Sequence, residues 1–243
     1  MPNPTAAMLV IGDEILSGRT RDANMHHLAN ELTRAGIDLH EVRIVSDTHG
    51  AIVAAVRALA AGYDQVFTSG GIGPTHDDIT ADAIAAAFAT PIAVRADARA
   101  LLAAHYARAG VELNEARLRM ARIPDGASLI DNPISAAPGF SLGHVHVMAG
   151  VPNIFAAMVA GLLPTLTGGA PQQSLTLRIN RGEGEIAGPL RALAEAHGDL
   201  SFGSYPFTKD GIYGANIVIR GADPVRLEAA MAALQGAFPD GIR

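Results

Sequence analysis

No cysteine occurs in the chain, so disulfides, thiolate nucleophiles and cysteine zinc sites are excluded. Long apolar runs are missing too: the longest, Ile154 to Leu163, is stopped by Pro164, well short of the roughly 18 residues needed to span a bilayer. The N-terminus lacks the basic start and cleavage pattern of a signal peptide, since the apolar run Ala6 to Ile11 is followed at once by Asp13 and Glu14. A cytoplasmic protein with no membrane partner is expected. There is no excess of basic residues; the net charge of −6 argues against a general nucleic-acid binder, which gains most of its affinity by neutralising phosphates, although one local basic patch would escape this argument. Internal repeats and low-complexity tracts are absent as well. What is present is 49% hydrophobic and only 17% charged over 243 residues, enough for one medium domain and one small one, each with its own core.

The run "AMLVI", Ala7 to Ile11, ended by Gly12, has the continuous apolar character of a strand buried on both faces of a parallel sheet. From Asn24, residues Met25, Leu28, Ala29, Leu32 and Ala35 recur at helical spacing, with Asp22 or Asn24 as a cap and Gly36 as the stop. Strand and helix then alternate: a strand over Ile37 to Val45, a helix from Ile52 to near Gly62, a strand over Gln65 to Ser69 and a helix over Thr80 to Phe88. Further helices are predicted over Arg95 to Gly110 and Asn114 to Arg122, then a loop-rich segment holding Pro124, Gly126, Pro133, Pro138 and Gly139. A strand over Val145 to Ala149 and a helix over Asn153 to Leu163 complete an α/β domain with a parallel sheet, at residues 1–168. After the linker "PTLTGGAPQQ", a small α+β domain of β-α-β-β-α order occupies 174–243, with a strand through Leu175 to Ile179, a helix through Ile186 to Leu193, strands near Asp199 to Tyr205 and Ile212 to Arg220 around a turn at Asp210 and Gly211, and a last helix capped by Asp223.

The chemistry concentrates in "FTSGGIGPTHDDIT", Phe67 to Thr80, at the carboxyl end of one strand and the amino end of the next helix. Ligands of parallel sheets bind at that rim, and unpaired amides at a helix start favour an anion. Gly70, Gly71 and Gly73 let backbone N–H groups approach a phosphate or diphosphate without Cβ atoms in the way. The stretch is neither a Walker loop, since no Gly-Lys-Ser/Thr follows, nor a dinucleotide fingerprint, since His76 stands where a third glycine belongs. Asp77 and Asp78 would repel a phosphate unless a hard divalent cation sits between carboxylate and phosphate oxygens; alternatively, one of them caps the Thr80 helix. Asp13 and Glu14, past the first strand, sit at the same rim and could add a metal ligand or a base that activates water. The ligand set expected from this rim is Ser69, Gly70, Gly71, Gly73, Thr75, Gly12, Asn24 and Gly150, with Asp77, Asp78 and Glu14 as metal ligands and catalytic groups. His76 could bind phosphate, act as an acid or be solvated, and Asn24 could cap its helix instead.

"TSGGIGPTHDDIT" closely resembles the signature of the molybdopterin-binding fold. "VIGDEILSGRTRDAN", Val10 to Asn24, resembles the start of the competence/damage-inducible protein A branch, and "NEARLRMARIPDGASLIDNPISAAPGF" and "VMAGVP" are similar to its later motifs. The resemblance spans roughly the first 165 residues and implies a three-layer α/β/α domain, with a metal (Mg, Mn or Co) near Asp77 and Asp78. It implies metal-dependent hydrolysis of nucleotide pyrophosphates of ADP-ribose or FAD type, a eukaryotic relative being fused to FAD synthase. The alternatives are molybdopterin adenylyl transfer, or binding of molybdopterin or a nucleotide without turnover. The C-terminal amidase activity of longer members is not carried over, because the expected amidase domain does not follow. Departures are His76, where many members have a basic residue, and Ala149, where many have proline. Relatives' symmetric assemblies imply a homo-oligomer acting on a small nucleotide or pterin phosphate. The tail's element order resembles a KH-type module, but Glu183 and Glu185 in "NRGEGEIAG" would repel a phosphate backbone, so no nucleic-acid partner is expected and the tail is read as structural or for association.

Overall fold

The computed structural model describes residues 2–209 and 211–243, so Asp210 of the expected turn lies outside the described residues. The chain divides into two units, Met1–Gly169 and Ala170–Arg243. In the larger unit, β1 (Thr5–Ile11) is followed by a one-turn helix α1 (Asp13–Leu16), α2 (Asn24–Ala35), β2 (Asp38–Val45), α3 (His49–Gly62), β3 (Gln65–Ser69) and α4 (Thr80–Ala87). Next come β4 (Ile92–Val94), α5 (Ala96–Arg108), α6 (Glu115–Leu118), β5 (Arg122–Pro124), β6 (Ser128–Ile130), β7 (Gly139–Leu142), β8 (Val145–Met148) and α7 (Pro152–Leu162).

β1 is buried from Ala6 to Ile11 because both of its faces are covered. Ala7, Leu9 and Ile11 pack with Ile52, Val56, Leu59, Ile84 and Leu102 of α3, α4 and α5, whereas Ala6, Met8 and Val10 pack with Leu28, Leu32, Phe155, Met158 and Val159 of α2 and α7. A strand covered on both sides must be apolar at every position, and the three layers follow from that.

The central sheet runs β2-β1-β3-β8-β7-β6. Its pairs β1–β2, β1–β3 and β3–β8 are parallel, while β7–β8 and β6–β7 are antiparallel. The sheet is therefore mostly parallel, with an antiparallel edge built from the Pro- and Gly-rich segment that reads as loop in the sequence. A hairpin needs only a short turn, supplied here by Gly143 at φ 58° and His144, whereas parallel neighbours need a long crossover. The helix expected over Asn114 to Arg122 is α6, one tight turn over Arg119–Ala121, and then β5, which pairs with β4 apart from the main sheet.

The chain leaves β1 to one side for β2 and returns to the other side for β3, so the strand order reverses between them. At such a reversal the loops leaving the carboxyl ends diverge and open a crevice.

The smaller unit comprises β9 (Gln173–Ile179), α8 (Glu183–Ala196), β10 (Ser201–Lys209), β11 (Ile212–Gly221) and α9 (Pro224–Ala237). Its antiparallel sheet, in the order β10-β11-β9, buries Leu177, Ile179, Ala215, Ile217 and Ile219 against Ile186 of α8 and Leu227, Met231 and Leu234 of α9. Asp223 caps α9, accepting from the amides of Val225 and Arg226 at 2.8 and 3.3 Å, with Pro224 in its first turn. Among the described residues, no helix is long and apolar enough to cross a membrane.

Candidate functional site

The glycine loop leaves β3 by two residues that no other amino acid could occupy without strain. Gly70 has φ 110°, and a Cβ on it would lie 2.2 Å from the carbonyl oxygen of Ile11; Gly71 has φ 70°, and a Cβ there would lie 2.1 Å from Thr80 Oγ1. The loop is then closed on itself. The amide of Gly70 donates to the Met148 carbonyl (3.1 Å), while Thr80 donates its amide to Gly71 O and its hydroxyl to Gly70 O, both at 3.0 Å. These bonds hold the carbonyls inward and leave the amides of Gly71, Ile72 and Gly73 with no acceptor among the described residues. Three adjacent unpaired amides beside the first turn of α4 form an anion cradle.

The cradle opens into a cavity of about 490 Å³ over the carboxyl ends of β1, β3 and β8. Of the residues singled out in the sequence, Glu14, Gly70, Gly71, Gly73, Asp77, Asp78 and Gly150 line it. Gly12, Asn24, Ser69 and Thr75 do not line it, and their bonds lie within the framework around it. Asn24 is buried and donates through Nδ2 to Ser69 Oγ and to Gly150 O, both at 2.7 Å, so the first residue of α2 fastens the end of β3 to the loop before α7. It does not cap its helix; Asp22 does that work, accepting from Met25 N at 2.9 Å. Gly12 donates its amide to Val45 O, tying the end of β1 to that of β2.

The adjacent aspartates have separate tasks. Asp78 Oδ2 accepts from the amide and the hydroxyl of Thr75 at 2.8 and 2.5 Å, closing the "PTHD" turn beneath Gly73. Neither aspartate caps the Thr80 helix, whose start carries no side-chain cap bond. Asp77 remains largely exposed, 3.9 Å from the His76 ring, and is held below the usual carboxylate range by the Thr75 side chain, then by its own amide. The single Thr75 hydroxyl proton goes to Asp78, which leaves the amide as the contribution that stands.

Asp47, just past β2, is the residue that the sequence reading did not single out. Its carboxylate accepts from the amide of Asp13 at 2.8 Å and lines the same cavity. Burial pushes its carboxyl above the ordinary range, and the negative charges of Glu14, Asp13 and Asp77 push the same way. Asn132 is a second addition to the wall. It is buried and uses all of its amide group on its own loop, donating to Ser135 Oγ and Ala137 O and accepting from the amides of Ile134 and Ser135. On the other side of the loop, a pocket of about 20 Å³ joins Gly71, Ile72 and Gly73 to Arg119, whose Nη2 donates to Asp78 O at 3.3 Å and whose buried Nε has no partner.

Glu14, Asp47, Asp77 and Asp78 are hard oxygen donors, the kind that Mg²⁺, Mn²⁺ and Co²⁺ accept. Among the described residues no three acids or imidazoles converge as a self-sufficient metal cluster. The donor set fits a cation held partly by carboxylate and partly by a ligand's phosphate, which is how Mg²⁺ is usually bound.

Residues 7–168 match the family described as "Probable molybdopterin binding domain", and residues 171–243 match "FAD synthase, middle domain". A protein of Caldivirga maquilingensis is 36% identical over 165 residues, 66% of this chain and 64% of that one. A CinA-like protein of Desulfosudis oleivorans is 36% identical over 172 residues (68% of this chain, 42% of that protein), and a probable FAD synthase of Caenorhabditis elegans is 31% identical over 255 residues (95% and 49%). The chain thus spans less than two thirds of the length of these relatives. The crystal structure of the protein CinA of Thermoplasma acidophilum, titled as of unknown function, superimposes with a TM-score of 0.62 at 32% identity, covering 67% of this chain and 97% of that one. The family match begins within β1 and runs on past α7, taking in the glycine loop and the cavity wall, and on that ground the chain belongs to the probable molybdopterin binding domain family.

Proposed function

We propose that the cavity binds the diphosphate of a nucleotide and hydrolyses it with a divalent cation, on substrates of the ADP-ribose or FAD type. The observation that carries this reading is the row of unpaired amides from Gly71 to Gly73 sharing one cavity with Glu14, Asp47 and Asp77. The amides bind phosphate oxygens; the carboxylates would repel the same oxygens unless a cation lay between, so the two features make sense only together. Glu14, Asp47 and Asp77 would hold that cation, with Asp78 keeping the loop in shape through Thr75. When bound, the cation supplies charge neutralisation at the phosphates and a lowered pKa for a coordinated water. A carboxylate of the cluster takes a proton from the attacking water, a new P–O bond forms at phosphorus and the bridging P–O bond breaks, releasing AMP. The apolar wall around Ile72, Met120 and Ile154 suits the flat ring of such a ligand. The match to the middle domain of FAD synthase favours a nucleotide over a free pterin phosphate.

The test is to supply ADP-ribose and FAD with Mg²⁺, Mn²⁺ or Co²⁺ and follow phosphorus by NMR. The expected result is AMP, with ribose 5-phosphate or FMN as the second product, and a loss of turnover of about 100-fold or more in Asp77→Asn without loss of folding. Tight binding of a phosphorylated ligand with no turnover would make the protein a binding module. Pyrophosphate released from ATP only when molybdopterin is present would make it an adenylyltransferase. Full activity in Asp77→Asn would end the assignment of the acidic cluster.

A further inference from the structure

The smaller unit carries a second surface, unrelated to the cavity. The pairing register of β9, β11 and β10 puts Leu177, Ile217 and Ser204 in one row facing the helices, and Arg178, Asn216 and Tyr205 in the next row on the opposite face. On that opposite face, from Ser174 to Arg178, Ser201 to Lys209 and Ile212 to Arg220, the register places no carboxylate. It does place Arg178, Arg220, Tyr205 and Phe207.

Two glycines let the rings lie down. A Cβ on Gly203 would come 2.8 Å from Tyr205 Cε2, and one on Gly214 would come 2.9 Å from Phe207 Cζ, so each ring lies against bare backbone. The Arg178 guanidinium sits 4.3 Å from the Phe207 ring centre; that of Arg220 sits 5.8 Å from the Tyr205 ring centre and donates to its hydroxyl at 3.1 Å. In the same unit Arg181, Arg226 and Arg243 are paired with Asp240, Asp199 and Glu228, whereas neither Arg178 nor Arg220 has an acidic partner among the described residues. In a chain of net charge −6, these two are cations that form no ion pair among the described residues.

We propose that this face binds single-stranded nucleic acid, with bases stacked at Tyr205 and Phe207 and backbone phosphates met by Arg178 and Arg220. Open antiparallel sheets that present aromatic rings, and guanidinium planes, bind unpaired bases in this way. Tyr205 and Phe207 are two residues apart on one strand, about 6.8 Å, so each ring can serve a different base. A second copy laid face to face would bring arginine against arginine. A lipid surface would favour rings that project, and these lie flat. The acidic "NRGEGEIAG" loop argues against a clamp on the backbone; it meets this face through the neutral Asn180, whose Oδ1 accepts from Arg178 Nε at 3.1 Å, whereas Glu183 accepts from Ser204 of the row facing the helices.

The measurement is fluorescence anisotropy of labelled oligouridylate and oligothymidylate of about twelve nucleotides with the full chain. The proposal expects weak binding whose salt dependence follows about two phosphate contacts, a log–log slope near −1.4 between about 50 and 200 mM salt. Tyr205→Ala should weaken binding about tenfold, and the pair Arg178→Gln and Arg220→Gln should flatten the slope towards zero while circular dichroism stays unchanged. Three outcomes overturn it: no binding at about 50 mM salt; binding that neither variant alters; or recruitment of the face to anionic vesicles or into a dimer that Tyr205→Ala dissolves, with no oligonucleotide bound.

Discussion

Gly71→Ala tests whether the cradle is built as described, because its cost can be worked out and then cancelled. The new methyl group would sit at φ 70°, a left-handed conformation worth about 1–2 kcal/mol against an L side chain. It would also meet Thr80 Oγ1 at 2.1 Å, which forces the hydroxyl away from Gly70 O. Losing that bond in a buried setting costs about 1–3 kcal/mol more. The single variant should therefore lose roughly 2–5 kcal/mol, a large part of a typical domain's stability. Thr80→Ala loses the same hydrogen bond and little else, about 1–3 kcal/mol. In the double variant there is no hydroxyl to collide with and no bond left to lose twice, so it should be no less stable than Gly71→Ala alone. The assay is native-state hydrogen exchange of the β1 amides, Ala6 to Ile11, which reports the larger unit without contribution from the smaller one. Single-variant losses that add to within about 0.5 kcal/mol in the double variant would mean that Thr80 does not lie against Gly71.

Asp47→Asn should raise the melting temperature at neutral pH, because burial and then the charges of Glu14, Asp13 and Asp77 disfavour the ionised carboxylate, while the amide can still accept from Asp13 N. The native carboxyl binds its proton more tightly than the unfolded one, so the wild type loses stability as pH rises through the ordinary carboxylate range and upward; the advantage of the variant should vanish below that range, and a gain that persists at acid pH would refute the cause. His146, buried between Ser141 Oγ and Gln65 Oε1 at 2.8 Å each, has its pKa lowered from 6.5 to about 4, first by burial and then by His144. The unfolded imidazole takes up a proton that the native one refuses, so stability present above about pH 6.5 should fall by up to about 3 kcal/mol as pH drops to about 4. His146→Gln should flatten that part of a urea-midpoint profile, and an unchanged slope would show that the ring is not held neutral.

The elements legible in the sequence were those whose burial leaves a pattern. β1 is covered on both faces and reads as an apolar run, and α2 shows its Leu28 and Leu32 at helical spacing. β5 and β6, of three residues each, and β7, of four, are too short to show a period of two, and they sit among prolines and glycines that signal loop. Their pairing is decided by tertiary contact: Phe140 of β7 lies opposite Val147 of β8 and is buried in the core with it. The antiparallel edge was hidden for that reason, while the parallel centre was not.

The site divides along the same line. Glycines at a strand end are local signals, and the cradle at Gly70 to Gly73 could be located before any coordinates. Charges that act together from different loops are not local. Asp47 stands after β2 in a plain loop, "SDTHG", and gains meaning only because β1 and β2 are parallel with Ile11 opposite Val45, so that their exits lie side by side and Asp47 receives the amide of Asp13. One signal would have found it. In a parallel sheet every strand ends at the same rim, so the first acids after each strand are neighbours in space whatever their separation in sequence: Asp13 and Glu14 after β1, Asp47 after β2, Asp77 and Asp78 after β3. The adjacent pair invites treatment as one unit, yet Asp78 spends an oxygen on Thr75 and Asp77 does not. Which of two neighbouring carboxylates stays free for a ligand is decided by a turn of four residues, and that choice depends on backbone angles that the letters alone do not display.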